Sequence, residues 1–459
     1  MQSINPRTLI ISFLFLLSAI IYVVLGQSNS LLLTLLFIFI TSLILFDSFL
    51  KAWNNKCIMH FISIANLFIF AIFVLRPLQL LLANDLGEFP TLRLYFSYYG
   101  YLLPKELPWA QASFIGMLGT FFLNCPFLTS SPKNLFRVLP LNKFRGPYIF
   151  SKSQLFGLFS FILISIISAS IFLFKIQTHI AVHIYDLLWI FIFSCIAIYI
   201  ITRKRADNWL IYFLLGLAIF ILSFSGKRQY IVNFLLCCII PLYFVGTDRK
   251  KIFRRIFLMF ILILIIVFGY GAIRRYRIGN WEQKTFGNAI MGEFCMYDML
   301  LASIDYVRGY ALNAFWGKHY LNIFTIGIPG LHIQPFDHFL TEIIFKGNFH
   351  GAIPTSLFGS LYFNFLLPGV CIGSYILGIF LMYVQKKLAR NTSYENIGYY
   401  AIFATFVYDL IRVGDIGREL WSLITLLLVY GCFNFLMNKF KKASISNTNI
   451  SQANNIEKK

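Results

Sequence analysis

The sequence predicts an all-α polytopic membrane protein of about twelve transmembrane helices, with one large outward-facing loop that carries short helices. Three observations predict it. Of 459 residues, 59% are hydrophobic and only 12% are charged, where a soluble domain carries roughly 25% charged residues. Apolar runs near the ~20 residues needed to cross a bilayer recur along the chain. Lys and Arg fall mostly in every second connection between those runs, which is how cytoplasmic loops are marked.

Spans are expected at 9–25, 30–50, 58–80, 109–128, 153–174, 184–201, 208–224, 229–246, 255–273, 356–384, 397–411 and 419–438. With an even number both ends lie on one side. The first run, Leu9–Leu25, resembles a signal sequence but shows no clear small-residue cleavage site, so it reads as a retained helix. The basic connections, assigned to the inside, hold Lys51 and Lys56; Lys133, Arg137, Lys143, Arg145 and Lys152; Arg203, Lys204 and Arg205; Arg249 to Arg255; and Lys386, Lys387 and Arg390. Residues 1–438 form one transmembrane domain in this reading. The Ser-, Asn- and Lys-rich stretch 439–459 is expected to be a disordered inner tail. The +21 net charge is absorbed by loop topology, so no nucleic acid partner follows from it. The eight Cys form no CxxC and lie mostly in or beside apolar runs, which argues against disulfides or a metal cluster.

The long connection 274–355 is unlike the rest. It is poor in apolar runs and rich in Gly, His, Arg and aromatics. On its side of the chain stand cations that the charge rule does not explain: Arg76, Lys227, Arg228, Arg274, Arg275, Arg277, Arg308 and Arg412. A group of cations at a membrane edge suits an anion held there, and arginine forks bind phosphate oxygens two at a time. All but Arg76 are the expected pyrophosphate-binding set. Singly, each arginine reads as well as a snorkelling side chain or a partner of Asp409, Asp415 or Glu419. His338, His350 and Glu293 are the candidate bases, since a neutral imidazole or an ionised carboxylate can take a hydroxyl proton. His338 has Asp337 before it and Glu342 four residues on, placed to orient the ring if the segment is helical; as a structural residue it would anchor an interfacial helix. The run 351–378 carries Gly351, Gly359, Gly369, Gly373 and Gly378, which allow close helix packing. Pro354–Ser356 reads as a helix start whose N–H groups face outward and can meet a phosphate, a reading no stronger than simple packing.

The turn S-G-K-R at 225–228, the Arg-rich span exit at 274–277, the passage G-A-I-P-T-S-L-F-G-S-L-Y-F-N-F at 351–365 and R-V-G-D at 412–415 together resemble the Wzy-type oligosaccharide repeat-unit polymerases, the O-antigen polymerases of bacterial inner membranes. The resemblance covers roughly the C-terminal half. The chain departs from the pattern at Ser360, where an acidic residue is expected, and at Leu366, where a Gly would follow Phe365. The resemblance implies a periplasmic loop at 274–355, cytoplasmic termini, and undecaprenyl-pyrophosphate-linked oligosaccharide as substrate. It leaves room for a chain-length regulator protein as partner. It implies a glycosyl transfer with undecaprenyl pyrophosphate as leaving group and with no cofactor. Two other readings stand beside it: a lipid-linked oligosaccharide flippase, which would line a central cavity with charge, and an O-antigen ligase, which shares the loop and the arginines.

Overall fold

The computed structural model describes residues 6–25, 29–55, 57–83, 86, 89–99, 107–130, 194–198, 228–245, 295–310, 317, 320, 336–346, 353–389 and 394–456. The described residues are helical or connecting, with no strand among them. In order the helices are α1 (Pro6–Val24), α2 (Leu31–Asn54), α3 (Phe61–Phe70) continuing through a π-helical turn (Ala71–Leu75) into α4 (Arg76–Leu81), α5 (Pro90–Tyr99), α6 (Trp109–Thr129), α7 (Arg228–Val245), α8 (Met296–Tyr310), α9 (Phe336–Ile344), α10 (Ser356–Ala389), α11 (Tyr394–Val413) and α12 (Ile416–Ile456). Among the described residues six helical stretches are long and apolar enough to cross a membrane: Pro6–Val24, Leu31–Asn54, Phe61–Leu81, Trp109–Thr129, Ser356–Leu388 and Ile416–Lys439. Each coincides with an expected span. The expected spans 229–246 and 397–411 coincide with α7 and α11. Those at 153–174, 208–224 and 255–273 lie outside the described residues, as does 184–201 apart from the helical stretch 194–198. Where composition predicts a disordered tail, α12 runs on to Ile456.

The chain forms two compact units. The first comprises Met1–Arg137, Gly271–Arg390 and Phe406–Ser422; the second comprises Val138–Tyr270, Asn391–Thr405 and Leu423–Lys459. In the second, Phe244 of α7 meets Tyr400 edge-on at 5.1 Å, and Tyr399 meets Tyr430 at the same distance. A Cβ on Gly398 would overlap the Tyr430 ring, so that glycine is what lets α12 approach α11 there.

The first unit is built around α6, which is buried nearly all round and packs chiefly against α2 and α10. The outward faces of α1 (Leu9, Phe13, Leu16, Ile20) and of α10 (Ile372, Ile376, Ile379, Tyr383) are large, apolar and exposed. Their spacing of three to four residues draws one stripe along each helix, as expected of a lipid-facing surface. Besides aromatic contacts such as Phe15 on Phe121, polar contacts join the helices, the usual cement where hydrocarbon offers no hydrophobic drive. Asn66 and Asn124 exchange amide hydrogen bonds at 2.8 and 2.9 Å, and Asn66 also donates to Ser48 at 2.8 Å, joining α2, α3 and α6.

These contacts sort the helix ends. At one end of α6, Asn29 bonds the Leu107 carbonyl and accepts from the Ala110 N–H at 3.1 Å. At the other end, Lys51 donates to the carbonyls of Leu128 at 2.6 Å and Ser130 at 2.7 Å. That second end also gathers the start of α3 and the end of α10, because the Phe61 N–H donates to Gln385 Oε1 at 3.3 Å.

The expectation of a single span over 356–384 is incomplete. Leu366 has φ 58° and ψ −157°, and the helix breaks there, two residues before Pro368. The segment 356–365, here α10a, runs antiparallel to α6: Gly119 leaves room for the Phe358 ring, while Gln111 nearer the α6 start donates to the Tyr362 hydroxyl at 2.6 Å. The segment 367–389, α10b, turns back and runs parallel to α6, with Gly378 against the Leu123 carbonyl and Gly373 against Leu361 of α10a. The described glycines of this run, Gly359, Gly369, Gly373 and Gly378, each stand where a Cβ would meet a neighbouring atom. Gly119 stands ten residues into α6, roughly 15 Å along it. The N-terminus of α10a therefore lies about half-way down the unit. It does not face outward, which corrects the expectation from Pro354–Ser356.

Candidate functional site: buried ion pairs around a re-entrant helix

Two ionic groups are buried where the helices of the long connection meet the spans. The first joins α4 to α8. Arg76 is 1% exposed and Asp298 is 0% exposed. The guanidinium donates from Nε to Oδ1 at 2.8 Å and from Nη2 to Oδ2 at 2.5 Å, a fork-on-carboxylate pair. Its Nη1 donates to Gln79 Oε1 at 2.8 Å, and Phe89 lies under it at 4.6 Å. Burial raises the Asp298 carboxyl above its usual range, and the facing guanidinium draws it part of the way back. Beside it the Tyr297 hydroxyl pairs with Ser113 of α6 at 2.7 Å; burial pushes that phenol up. Arg76 is thus a committed ion pair and not a free cation at the membrane edge.

The second group lies where α9 meets the α11–α12 turn. The Gly414 N–H closes α11 on the Leu410 carbonyl at 3.0 Å. Gly414 has φ 77°, and a Cβ there would lie 2.4 Å from the Ser356 carbonyl, so the turn needs glycine on both counts. Asp415 follows as the cap of α12, its Oδ1 accepting the Arg418 N–H at 3.1 Å; its Oδ2 accepts the Phe336 N–H, which opens α9, at 3.2 Å. Arg418 Nη1 donates to Asp337 Oδ2 at 2.9 Å, and its Nε to Glu419 Oε1 at 3.2 Å. Asp337 and Glu419 are each 3% exposed. Asp409 and Arg412 act electrostatically on Glu419, and the Arg412 guanidinium lies 5.8 Å over the Tyr408 ring. Four carboxylates thus stand with two guanidiniums. Burial is the main reason that the Asp415 carboxyl is raised; Asp337 adds to it and Arg418 opposes it. Against this turn lie Ser360 and Tyr320, whose hydroxyls are 3.0 Å apart, with burial pushing the phenol up.

Of the expected pyrophosphate set, Arg412 alone has a described side chain, and it belongs to this acid-rich group. Arg228 opens α7 and Arg308 lies on α8, three residues past Asp305, but their side chains lie outside the described residues, as do Lys227, Arg274, Arg275 and Arg277 entirely. Among the bases, Glu293 and His350 lie outside the described residues. His338 is on α9, half-buried, with Glu342 four residues on, so the expected helix is present. The orientation by Asp337 is not: that carboxylate accepts the His338 main-chain N–H at 3.0 Å and the Arg418 guanidinium, and no described residue bonds the His338 ring. Arg76, Asp298, Asp337, Arg418 and Tyr320 were not singled out as site residues by sequence. Their partners are 222, 81 and 40 positions away, so no local pattern records them. The one local signal was a cation or carboxylate placed against an otherwise apolar run. No group of His, Cys, Asp or Glu among the described residues is arranged to hold a metal ion.

No family model matches this chain, and no curated protein or solved structure matches it. At Leu366 the chain adopts a φ of 58° with ψ near −157°, a region that only glycine enters without strain.

Proposed function

We propose that this chain is a Wzy-type polymerase: an integral membrane glycosyltransferase that joins undecaprenyl-pyrophosphate-linked oligosaccharide repeat units into O-antigen or a similar surface polysaccharide. In this reading it has twelve spans in the bacterial inner membrane, cytoplasmic termini and a periplasmic loop at 274–355. The acceptor hydroxyl oxygen attacks the anomeric carbon at the reducing end of the growing chain. The bond from that carbon to the pyrophosphate breaks, a base takes the hydroxyl proton, and undecaprenyl pyrophosphate leaves with the electron pair. The donor is already activated, so no nucleotide is needed. His338 is the first choice of base, then His350 and Glu293. Lys227, Arg228, Arg274, Arg275, Arg277 and Arg308 stabilise the charge that develops on the leaving group, with Arg412 at the edge of the acidic group.

The observation that carries the reading is the burial of polar and charged groups around α10a, at the end of the first unit where α8 and α9 of the long connection enter the helix bundle. Charge inside a membrane bundle is expensive and marks a functional path. The contacts at the two ends of α6 lend support to the span count. Ser130 lies at the Lys51 end of α6 and Tyr297 at the Trp109 end, which fits the five spans that hydropathy expects between them. Deletion of the gene followed by gel analysis of surface polysaccharide tests the reading. A ladder reduced to one repeat unit on lipid A is the expected result; loss of all surface chain contradicts it and favours a flippase or a ligase. The flippase reading draws on one observation, that Arg418 and Glu419 stand within the span Ile416–Lys439. Their engagement with Asp337 and with one another favours the polymerase.

A further inference from the structure

We propose that the buried N-terminus of α10a is an oxyanion site that takes the diphosphate of the lipid-linked donor; this rests on the polymerase reading above. The first turn of any helix leaves main-chain N–H groups without partners inside the helix, and they carry a positive partial charge. The starts of α3 and α12 are capped, His60 Nδ1 accepting the Ile62 N–H at 3.1 Å and Asp415 capping α12, while Ser30 at the start of α2 makes no such bond. At the start of α10a no described residue accepts the N–H of Leu357 or Phe358, and the Gly359 N–H finds only Ser356 Oγ at a long 3.4 Å. Leu357 and Phe358 are each 1% exposed, so these donors do not face bulk solvent.

A side chain points the same way. Thr355 is 1% exposed, and its Oγ1 has no hydrogen-bond partner. That oxygen lies against the first turn, 3.1 Å from where a Cβ on Gly359 would stand. A buried hydroxyl without a partner is costly in an apolar bundle, and so is an uncapped buried helix end. Both occur at one spot, and both are relieved by one ligand that supplies several acceptor oxygens. Phosphoryl oxygens do so, and the helix end favours their charge. Gly359 lets Thr355 lie against this first turn: a Cβ there would meet the Thr355 Cβ at 2.8 Å and push the hydroxyl away. The α11–α12 turn packs against this helix start, its Gly414 abutting the Ser356 carbonyl. The hydroxyls of Ser360 and Tyr320 complete the polar wall.

The test uses the full chain, purified into lipid nanodiscs, with inorganic pyrophosphate and undecaprenyl pyrophosphate as separate probes. Binding is measured for the wild type and for Thr355→Val, Thr355→Ser and Gly359→Ala. A hydrogen bond to a charged group predicts that Thr355→Val weakens binding about 10- to 100-fold, that Gly359→Ala weakens it comparably, and that Thr355→Ser stays near wild type. Without ligand, Thr355→Val should melt no lower than the wild type, since it removes an unsatisfied hydroxyl. If Thr355→Val does not fold, the Ser and Ala variants decide. Binding of the lipid probe alone assigns the site to the lipid carrier; equal binding of both probes assigns it to the diphosphate itself. Failure of the wild type to bind either probe, or equal binding by wild type, Thr355→Val and Gly359→Ala, overturns the site. The two proposals fail separately. A normal polysaccharide ladder in cells carrying Thr355→Val, with binding unchanged, removes this site and keeps the polymerase. Thr355-dependent binding in a protein that does not polymerise keeps the site and removes the polymerase.

Discussion

Replacing Arg76 by Ala should destabilise the first unit by about 3–5 kcal/mol, the range found when one member of a buried ion pair is removed. The magnitude follows from the surroundings. Asp298 is fully buried, and both of its oxygens are engaged by the one guanidinium. Truncation leaves the carboxylate with no cation. It also leaves Gln79 Oε1 without this donor and removes the cation–π contact to Phe89, which is itself worth about 0.5–2 kcal/mol. The pair itself is not expected to add much net stability, because two ions must be desolvated to form it. The double change Arg76→Met with Asp298→Leu should therefore recover most of the loss. The assay is equilibrium unfolding of the purified protein in a fixed detergent or nanodisc, with a double-mutant cycle. A loss below about 1 kcal/mol for Arg76→Ala, or a double variant as weak as the single, would refute the buried pair as described.

Four further variants probe the second cluster, the helix break and the proposed base. Arg418→Ala should cost less, about 1.5–3 kcal/mol, since its guanidinium is 30% exposed and it loses charged hydrogen bonds to Asp337 and Glu419. Asp415→Asn should be far milder at neutral pH, because asparagine also caps a helix well. The raised Asp415 carboxyl means that the folded chain binds more proton than the unfolded one between the ordinary carboxylate value, about 4, and its own higher value. Its contribution to stability therefore falls as pH rises through that window, so melts of wild type and Asp415→Asn from pH 4 upward should move in favour of the variant; a gap independent of pH would contradict this. Leu366→Gly should leave stability unchanged or raised, because relief of a strained φ worth about 1–3 kcal/mol offsets the lost side-chain contacts of a residue that is 44% exposed; a loss above 2 kcal/mol in the same melts would argue against the break. His338→Gln should abolish most polymerisation with little change in donor binding, since the amide cannot take a proton; a variant that polymerises normally in purified lipid would move the base to His350 or Glu293.

Much of the bundle was legible in the sequence because hydropathy and span length are strong local signals: α1, α2, α6 and the start of α12 fall within a few residues of their expected bounds. The break at Leu366 was written less plainly. The expected span of 356–384 exceeds the ~20 residues a bilayer needs, and Pro368 stands inside it, but only the positive φ at Leu366 separates a long tilted helix from a re-entrant one followed by a span. The site was legible as residue types, not as partners. Asp415 and Glu419 stood out beside Arg412 because they share one turn. Arg418 finding Asp337, and Arg76 finding Asp298, depend on how distant segments pack, and no periodicity carries that. His338 shows the limit well: its helix was predictable, yet its neighbour Asp337 turns to Arg418.

The central claim, that the chain polymerises lipid-linked repeat units, is tested most directly by reconstituting the purified protein in liposomes with one undecaprenyl-pyrophosphate-linked repeat unit and no nucleotide. The account predicts chains of two or more units, with one undecaprenyl pyrophosphate released for each bond formed, and loss of both products in Arg275→Ala and His338→Gln proteins that insert normally. Repeat units that stay single while moving from one leaflet to the other would contradict it.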